Sequence, residues 1–289
     1  MKLSNHIKNV EKDLINVIIV TYNPNIDDLF KNIYKFMDGV DSIILVDNAS
    51  NEEIQKKLVD FCSQNKKVKF VPMEINNGIG SAQNEAVRLL FDQQNDDQQF
   101  VLFFDQDSYL TSSQVHDLVQ HFKEEHYQNS NLAALGAQTN ENIQSDGRYI
   151  VKHIISSGSL TTLNTFKQIG YFDEELFIDF IDFAWCWKAE KLGYYVMVDN
   201  SVLLHHQTSG HLPTIFGKGI DNPNRLYYVY RNLIISLNRY NTSFSFSWNW
   251  YKHLFMKAIF QLIFASNRIY RLKMILSGVF DGLKGKAGK

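Results

Sequence analysis

Over its first hundred residues the chain alternates short, unbroken apolar runs with amphipathic stretches. Residues 16–21 (NVIIVT), 42–47 (SIILVD), 68–73 (VKFVPM) and 100–105 (FVLFFD) are runs of strand length, rich in β-branched and aromatic side chains. Residues 26–37, 52–62 and 81–91 repeat their apolar positions every three or four residues and predict helices. Strands with so little polar alternation are buried on both faces. The rhythm therefore predicts an α/β fold, a mostly parallel central sheet covered by helices and joined by right-handed crossovers. Farther along the pattern loosens. Residues 153–160 and 194–204 read as strands and 180–192 as a helix. Residues 209–223 hold three glycines and two of the four prolines, and read as a mobile loop able to close over a ligand. Residues 224–240, 249–265 and 268–280 read as helices.

Polar residues gather where the apolar strands end, at Thr21-Tyr22-Asn23, at Asp47-Asn-Ala-Ser50 and at Asp105-Gln106-Asp107. In open α/β sheets, ligands bind at that edge. Two acids within one tripeptide repel each other, and a hard divalent cation, Mg²⁺ or Mn²⁺, would remove the cost while bridging to a diphosphate. A solvated turn is the plain alternative. Asp47 suits either a ribose or base contact or a turn capping the next helix. The turn Asn76-Asn-Gly78-Ile-Gly80 permits close backbone approach. Asp179 and Asp182 sit three apart among large apolar side chains, a setting that raises a carboxyl pKa and suits a general base. Acids favoured at a helix N-terminus are the alternative there. His205-His206 ends a strand, so one imidazole at most faces the carboxylates. No G-x-G-x-x-G follows the first strand and no P-loop occurs, which disfavours dinucleotide oxidoreductases and P-loop NTPases.

Composition changes the picture mainly through charge. Of the 289 residues, 45% are apolar and 21% charged, as in an ordinary globular protein. The net charge of −2 conceals an asymmetry. Residues 1–240 carry 21 Lys and Arg against 30 Asp and Glu, or −9, while residues 241–289 carry 8 against one, or +7. The acidic body disfavours nonspecific nucleic-acid binding. The basic, aromatic tail suits a membrane interface, or packing on the body or a second subunit. Two cysteines, Cys62 and Cys186, make no disulfide framework. The N-terminal residues lack a secretory h-region, and no apolar run reaches spanning length, so a cytoplasmic protein is expected.

In order and spacing, the stretches VIIVTYN, ILVDNAS, NNGIGSAQN, LFFDQDS, ISSGSLTTL, IGYFDEELFIDFIDFAWCWKAEKLGY and RLYYVYRN resemble the family 2 glycosyltransferases. These are inverting enzymes of the GT-A fold, a Rossmann-like nucleotide-diphospho-sugar transferase fold, and the pattern is most similar to bacterial rhamnosyltransferases. The resemblance implies a GT-A catalytic domain over residues 1–240 and a C-terminal helical extension over 241–289. It implies transfer of rhamnose from dTDP-rhamnose to a saccharide acceptor, possibly lipid-linked, in cell-surface polysaccharide synthesis. A UDP-hexose or UDP-galactofuranose donor, or a non-catalytic nucleotide-sugar-binding scaffold, are the alternatives. By the same resemblance Thr21, Tyr22, Asn23, Asn76, Gly78 and Gln106 line the nucleotide pocket, and Asp47 holds the base or ribose. Asp105 and Asp107 bind the metal with His205, the doubled histidine leaving His206 open. Asp182 is the base and Asp179 its helper. Ser157, Gly158 and Ser159 wall the sugar sites, while Arg225, Tyr228 and Arg231 lie near phosphates. Ala184, Lys188 and Glu85 depart from the family pattern, the first two in the helix that bears the base. The tail would hold the enzyme on the inner face of the cell membrane, with a homo-oligomer left open.

Overall fold

The computed structural model describes residues 13–93, 99–139, 147–206, 214–215, 218–240 and 242–288. In chain order they form β1 (Ile15–Thr21), α1 (Ile26–Phe36), β2 (Ser42–Asp47), α2 (Glu52–Gln64), β3 (Val68–Pro72) and α3 (Ile79–Gln93). Then come β4 (Phe100–Asp105), β5 (Ser108–Tyr109), α4 (Ser112–Gln128), β6 (Leu132–Gln138), β7 (Arg148–Val151), β8 (Ser159–Thr162) and α5 (Leu163–Ile169). The chain continues through α6 (Ile181–Lys191), β9 (Tyr195–Leu203), β10 (His205–His206), α7 (Pro223–Arg239), α8 (Phe244–Phe264) and α9 (Arg268–Leu283).

Eight strands build the central sheet in the order β3-β2-β1-β4-β8-β6-β9-β7. The half β3-β2-β1-β4 is parallel throughout. Beyond β4 the strand β8 runs antiparallel to both neighbours, β6 and β9 pair parallel, and β7 closes the edge antiparallel. Of the expected strand at 153–160 only Ser159 and Leu160 are strand, at the start of β8, and the residues before them form the loop that follows β7. That loop carries Ser156, Ser157 and Gly158 to the sheet's ligand edge.

Alternation along the strands explains the two cores. On β1, Val17 and Ile19 join the cluster under α1, α2 and α4, while Ile18 joins the opposite one under α3, α5 and α6. On β4, Phe100, Leu102 and Phe104 face the first side and Val101 and Phe103 the second. Each such fully buried side chain contributes about 1.5–3 kcal/mol. Asparagines begin α1 and α2, a Thr111–Gln114 capping box begins α4, and Asn222 with Pro223 begins α7.

A third cluster joins α6 and α7 to the tail, through Trp187, Leu226, Leu233, Leu254 and Ile275. Helix α9 lies close along α7. A Cβ on Gly278 would stand 2.4 Å from the Tyr227 carbonyl oxygen, which requires glycine there. Both cysteines are free thiols. Seven of the fifteen residues of the expected loop at 209–223 lie outside the described residues.

Candidate active site

The register brings the polar strand ends together. Thr21 pairs with Asp47 across β1 and β2, and Val20 with Asp105 across β1 and β4. Above this edge is a cavity of about 700 Å³, a volume suited to a nucleotide sugar. Tyr22, Asn76, Gly78, Asp105, Gln106, Asp107, Ser157, Asp179, Asp182 and Arg225 line it, all expected from the sequence. Asn48, Gln83, Ile155, Ser156, Phe177, Phe180, Phe183 and His206 line it as well.

The Asp105 carboxylate has no hydrogen-bond donor among the described residues, while its backbone N–H donates to Ser157 Oγ at 3.0 Å. Burial, and then the neighbouring charge of Asp107, push its pKa up to about 6, against the smaller pull of His206 and Arg225. Among the described residues the repulsion of this carboxylate pair is only partly offset, by His206 and Arg225, and the pair is chemically suited to a hard divalent cation. No three His, Cys, Asp or Glu side chains among the described residues converge as a ready-made cation site. Asp105 and Asp107 fit a cation that takes its remaining ligands from substrate and water, as Mg²⁺ commonly does.

The histidine facing this pair is His206. Its Nδ1 lies 2.7 Å from Ser108 Oγ and 3.3 Å from Asp107 Oδ1. The expectation of His205 is corrected. Pairing of β10 with β5 turns alternate side chains to opposite sides, and His205 stacks on Tyr109 with ring centroids 4.8 Å apart.

Other expected ligands also hold the scaffold. Asp47 is fully buried and accepts from Thr21 Oγ1, the Ser50 N–H and hydroxyl, and Gln55 Nε2 at 2.5–3.0 Å. Its oxygens are committed to the turn, so it does not face the cavity, and Thr21 is buried with it. Asn23, at φ +46°, braces the same turn by accepting from the Asn51 N–H and Nδ2 at 3.0 Å. Gly158, at φ +76°, and Ser159 shape the loop behind Ser157 without lining the cavity. Arg231 is 1% exposed, and its guanidinium donates to the Glu175, Leu176 and Gly288 carbonyls, so it is not a phosphate ligand. Tyr228 packs on Phe177.

Across the cavity, Asp182 is the second residue of α6. The N–H groups of Ser156, at 3.2 Å, and Phe183, at 2.9 Å, donate to its carboxylate. Desolvation outweighs both bonds, and its pKa is pushed up to about 6. Asp179 is held by Arg225, whose Nε and one terminal nitrogen donate to it at 2.8–3.0 Å. Of these two, Asp182 is the carboxylate without a cationic partner among the described residues, and so the freer to take a proton.

The backbone leading into α6 is unusual. Phe177, Asp179 and Phe180 all adopt positive φ, at +64°, +67° and +64°. For such side chains each costs of order 1–3 kcal/mol and persists only where the surroundings impose it. Gly78 meets this turn, because a Cβ there would lie 2.2 Å from the Phe177 carbonyl oxygen.

The model of the family described as "Glycosyl transferase family 2" matches residues 16–184. The chain belongs to that family. It is 26% identical to the "dTDP-rhamnosyl transferase RfbF" of Shigella flexneri, over 95% of this chain and 97% of that one. It is 23% identical to the "Low-salt glycan biosynthesis hexosyltransferase Agl10" of Haloferax volcanii, over 68% of each. Among solved structures it is similar to GalNAc-T7 with UDP, GalNAc and Mn²⁺ (TM-score 0.60, 13% identity, 80% of this chain and 48% of that one). It is also similar to S. aureus TarS 1–349 (TM-score 0.57, 18% identity, 93% and 80%). A third is the mannosyltransferase PcManGT of Pyrobaculum calidifontis in complex with GDP-Man and Mn²⁺ (TM-score 0.59, 12% identity, 95% and 76%). The fold of this family 2 glycosyltransferase is thus of the GT-A type, with its sheet edge and cavity placed as described above.

Proposed function

We propose that this glycosyltransferase moves rhamnose from dTDP-rhamnose to a hydroxyl of a saccharide acceptor, with inversion at the anomeric carbon. The observation that carries the reading is one cavity shared by the Asp105–Asp107 pair and the partly buried Asp182. The choice of donor follows the relative from Shigella flexneri, similar over nearly the whole chain. In the proposed reaction Asp182 takes the acceptor hydroxyl's proton as that oxygen bonds to the anomeric carbon. The bond from that carbon to the diphosphate breaks, and dTDP leaves with the electron pair. A divalent cation, Mg²⁺ or Mn²⁺, held by Asp105 and Asp107 would stabilise the charge developing on the diphosphate. Tyr22, Asn48, Asn76 and Gln106 offer polar contacts for the nucleotide, and Arg225 a cation at the wall.

The test is nucleotide release from a panel of donors with Mg²⁺ or Mn²⁺. Release from dTDP-rhamnose, at least tenfold faster than from UDP-glucose, UDP-galactofuranose or GDP-mannose, is expected. A preference for a UDP-sugar would overturn the donor, and no release from any donor would leave a binding protein instead.

The tail supports a further element of this reading, docking on an anionic lipid surface at the inner face of the cell membrane. No described helix is long and apolar enough to cross a bilayer. Yet Trp248, Phe255, Ile259 and Ile263 form an exposed stripe along α8, and Ile269, Leu272, Leu276, Phe280 and Leu283 form one along α9. Ile269 is 87% exposed. Lys252, Lys273 and Lys284 accompany these stripes, whereas the sole acid of the segment, Asp281, accepts from the Tyr227 hydroxyl at 2.8 Å. Two such cationic faces would repel each other, and an anionic headgroup layer complements them. The protein is expected to float with vesicles containing 30% phosphatidylglycerol and not with phosphatidylcholine alone. Ile269→Ser with Phe280→Ser should abolish flotation, and an intact protein that stays with the soluble fraction in both cases refutes docking.

A further inference from the structure

The carbonyls at the centre of the strained turn into α6 are gathered by one side chain from another helix. Asn232, fully buried on α7, points its Nδ2 at three carbonyl oxygens of the turn. These are Leu176 at 2.7 Å, Ile178 at 2.6 Å and Asp179 at 3.0 Å. An amide nitrogen has two hydrogens, so one is shared between two acceptors. The orientation of the amide is set from its other end, where Asn232 Oδ1 accepts from Arg231 Nε at 2.9 Å. Arg231 also donates to the carbonyls of Glu175, at 3.3 Å, and Leu176, at 3.2 Å. The remaining carbonyl, that of Phe177, accepts from the Ile79 N–H at 3.0 Å. Five consecutive carbonyls, from residue 175 to residue 179, are thereby satisfied while three non-glycine residues hold positive φ. At Phe177 the dihedrals are +64° and −61°, and the Ile178 N–H donates to the Leu176 carbonyl at 2.8 Å, a strained γ-turn.

We propose that Asn232 is a positioning residue, which clamps this turn so that α6 begins where Asp182 faces the cavity. The inference rests on the reading of Asp182 as the base given under Proposed function. Without the amide, the Ile178 and Asp179 carbonyls would lose their donor in a buried space, Leu176 alone keeping Arg231 and the Ile178 N–H, and the turn would relax away from its positive-φ shape. Asp182, two residues beyond Phe180, would shift with the helix start. A displacement of about 1 Å at a reacting group can cost 10²-fold in rate. The donor side of the cavity, built on β1 and β4, would stay in place.

The diagnostic variant is Asn232→Asp. It keeps the shape and the contact with Arg231 but sets an acceptor against three carbonyl oxygens. Transfer is expected to fall by about 10–100-fold, with dTDP affinity in Mn²⁺ within twofold of the parent and slow donor hydrolysis by water retained. Hydrogen exchange at the 177–181 amides should accelerate. Ser236→Val is the control, since Ser236 is buried one turn farther along α7 and makes no hydrogen bond to the turn. Whatever its effect on Tm, it should leave both the exchange of 177–181 and the ratio of transfer to hydrolysis unchanged. If Asn232→Asp transfers within threefold of the parent, or if its loss of transfer merely follows Tm as in the control, the positioning role is overturned. A parent protein inert toward every donor would instead defeat the proposed function. Unaltered exchange at 177–181 would then by itself show that Asn232 does not hold the turn.

Discussion

Asp182→Asn is expected to lower the rate of transfer by about 10²–10⁴-fold, the usual contribution of a general base. Affinity for dTDP should hardly change. The substitution keeps the size of the side chain and can still accept from the Ser156 N–H, so the wall of the cavity survives. What it removes is the capacity to take the acceptor's proton. The pH dependence follows with a definite sign. The pKa of Asp182 is raised to about 6, chiefly by burial and in smaller part by the Asp105 charge. Its protonated form cannot act as a base, so transfer falls as pH drops through about 6 and levels off above it. A cation at Asp105 offsets only the smaller cause, so the acid limb in the loaded enzyme lies at or somewhat below that value. Stability moves the other way. An acid whose folded pKa lies above its unfolded value binds more protons when native, so stability declines as pH rises from about 4 to about 6. Above that window Asp182→Asn should be more stable than the parent, by about 2–4 °C in Tm. Loss of activity together with a gain in Tm is the signature of a functional carboxylate held against its solvation. A variant that transfers within threefold of the parent would sink the assignment.

How much of this was legible in the chain depends on which physical rule each residue obeys. The parallel half of the sheet was readable because β1, β2 and β4 are buried on both faces and show it as unbroken apolar runs. Placement of Asp105 and Asp107 followed, since a strand's end fixes where the next residues go. Helix α4 carries as plain a signal, with Val115, Leu118, Val119 and Phe122 at helical spacing behind a capping box. Side-chain roles were less accessible. An aspartate at a strand end looks the same whether it faces a ribose or its own turn, and only the four donors around Asp47 distinguish the two. The choice between His205 and His206 depends on the register with β5, a long-range pairing. Arg231 has the residue type of a phosphate ligand, yet it lies on the buried side of α7. Asn232, next to it, has no local pattern that announces a contact with carbonyls more than fifty positions away.

The second large effect separates the metal from the base. Asp105→Asn should abolish most metal-dependent dTDP binding and lower transfer by about 10²–10³-fold, the magnitude typical for losing one preorganised stabiliser of transition-state charge. Without metal, however, the same variant should be the more stable protein. Burial and the neighbouring Asp107 raise the Asp105 pKa to about 6, so at neutral pH the parent holds two close carboxylates with no donor on Asp105 among the described residues. Removing one charge relieves that repulsion. In the parent, Mn²⁺ with dTDP at 100 times the dissociation constant should stabilise the fold by about 2.7 kcal/mol. In Asp105→Asn that increment should nearly vanish, whereas Asp182→Asn should retain it. Asp107→Asn should weaken it as well, and should free His206 from its carboxylate neighbour at 3.3 Å. Thermal melts of the three variants, each with and without Mn²⁺ and dTDP, thus assign the two acidic walls independently of any acceptor. A metal-induced shift that persists undiminished in both Asp105→Asn and Asp107→Asn would show that the cation binds elsewhere. The pair would then be a polar edge of the cavity, and the diphosphate would need another source of positive charge, such as Arg225 on the cavity wall.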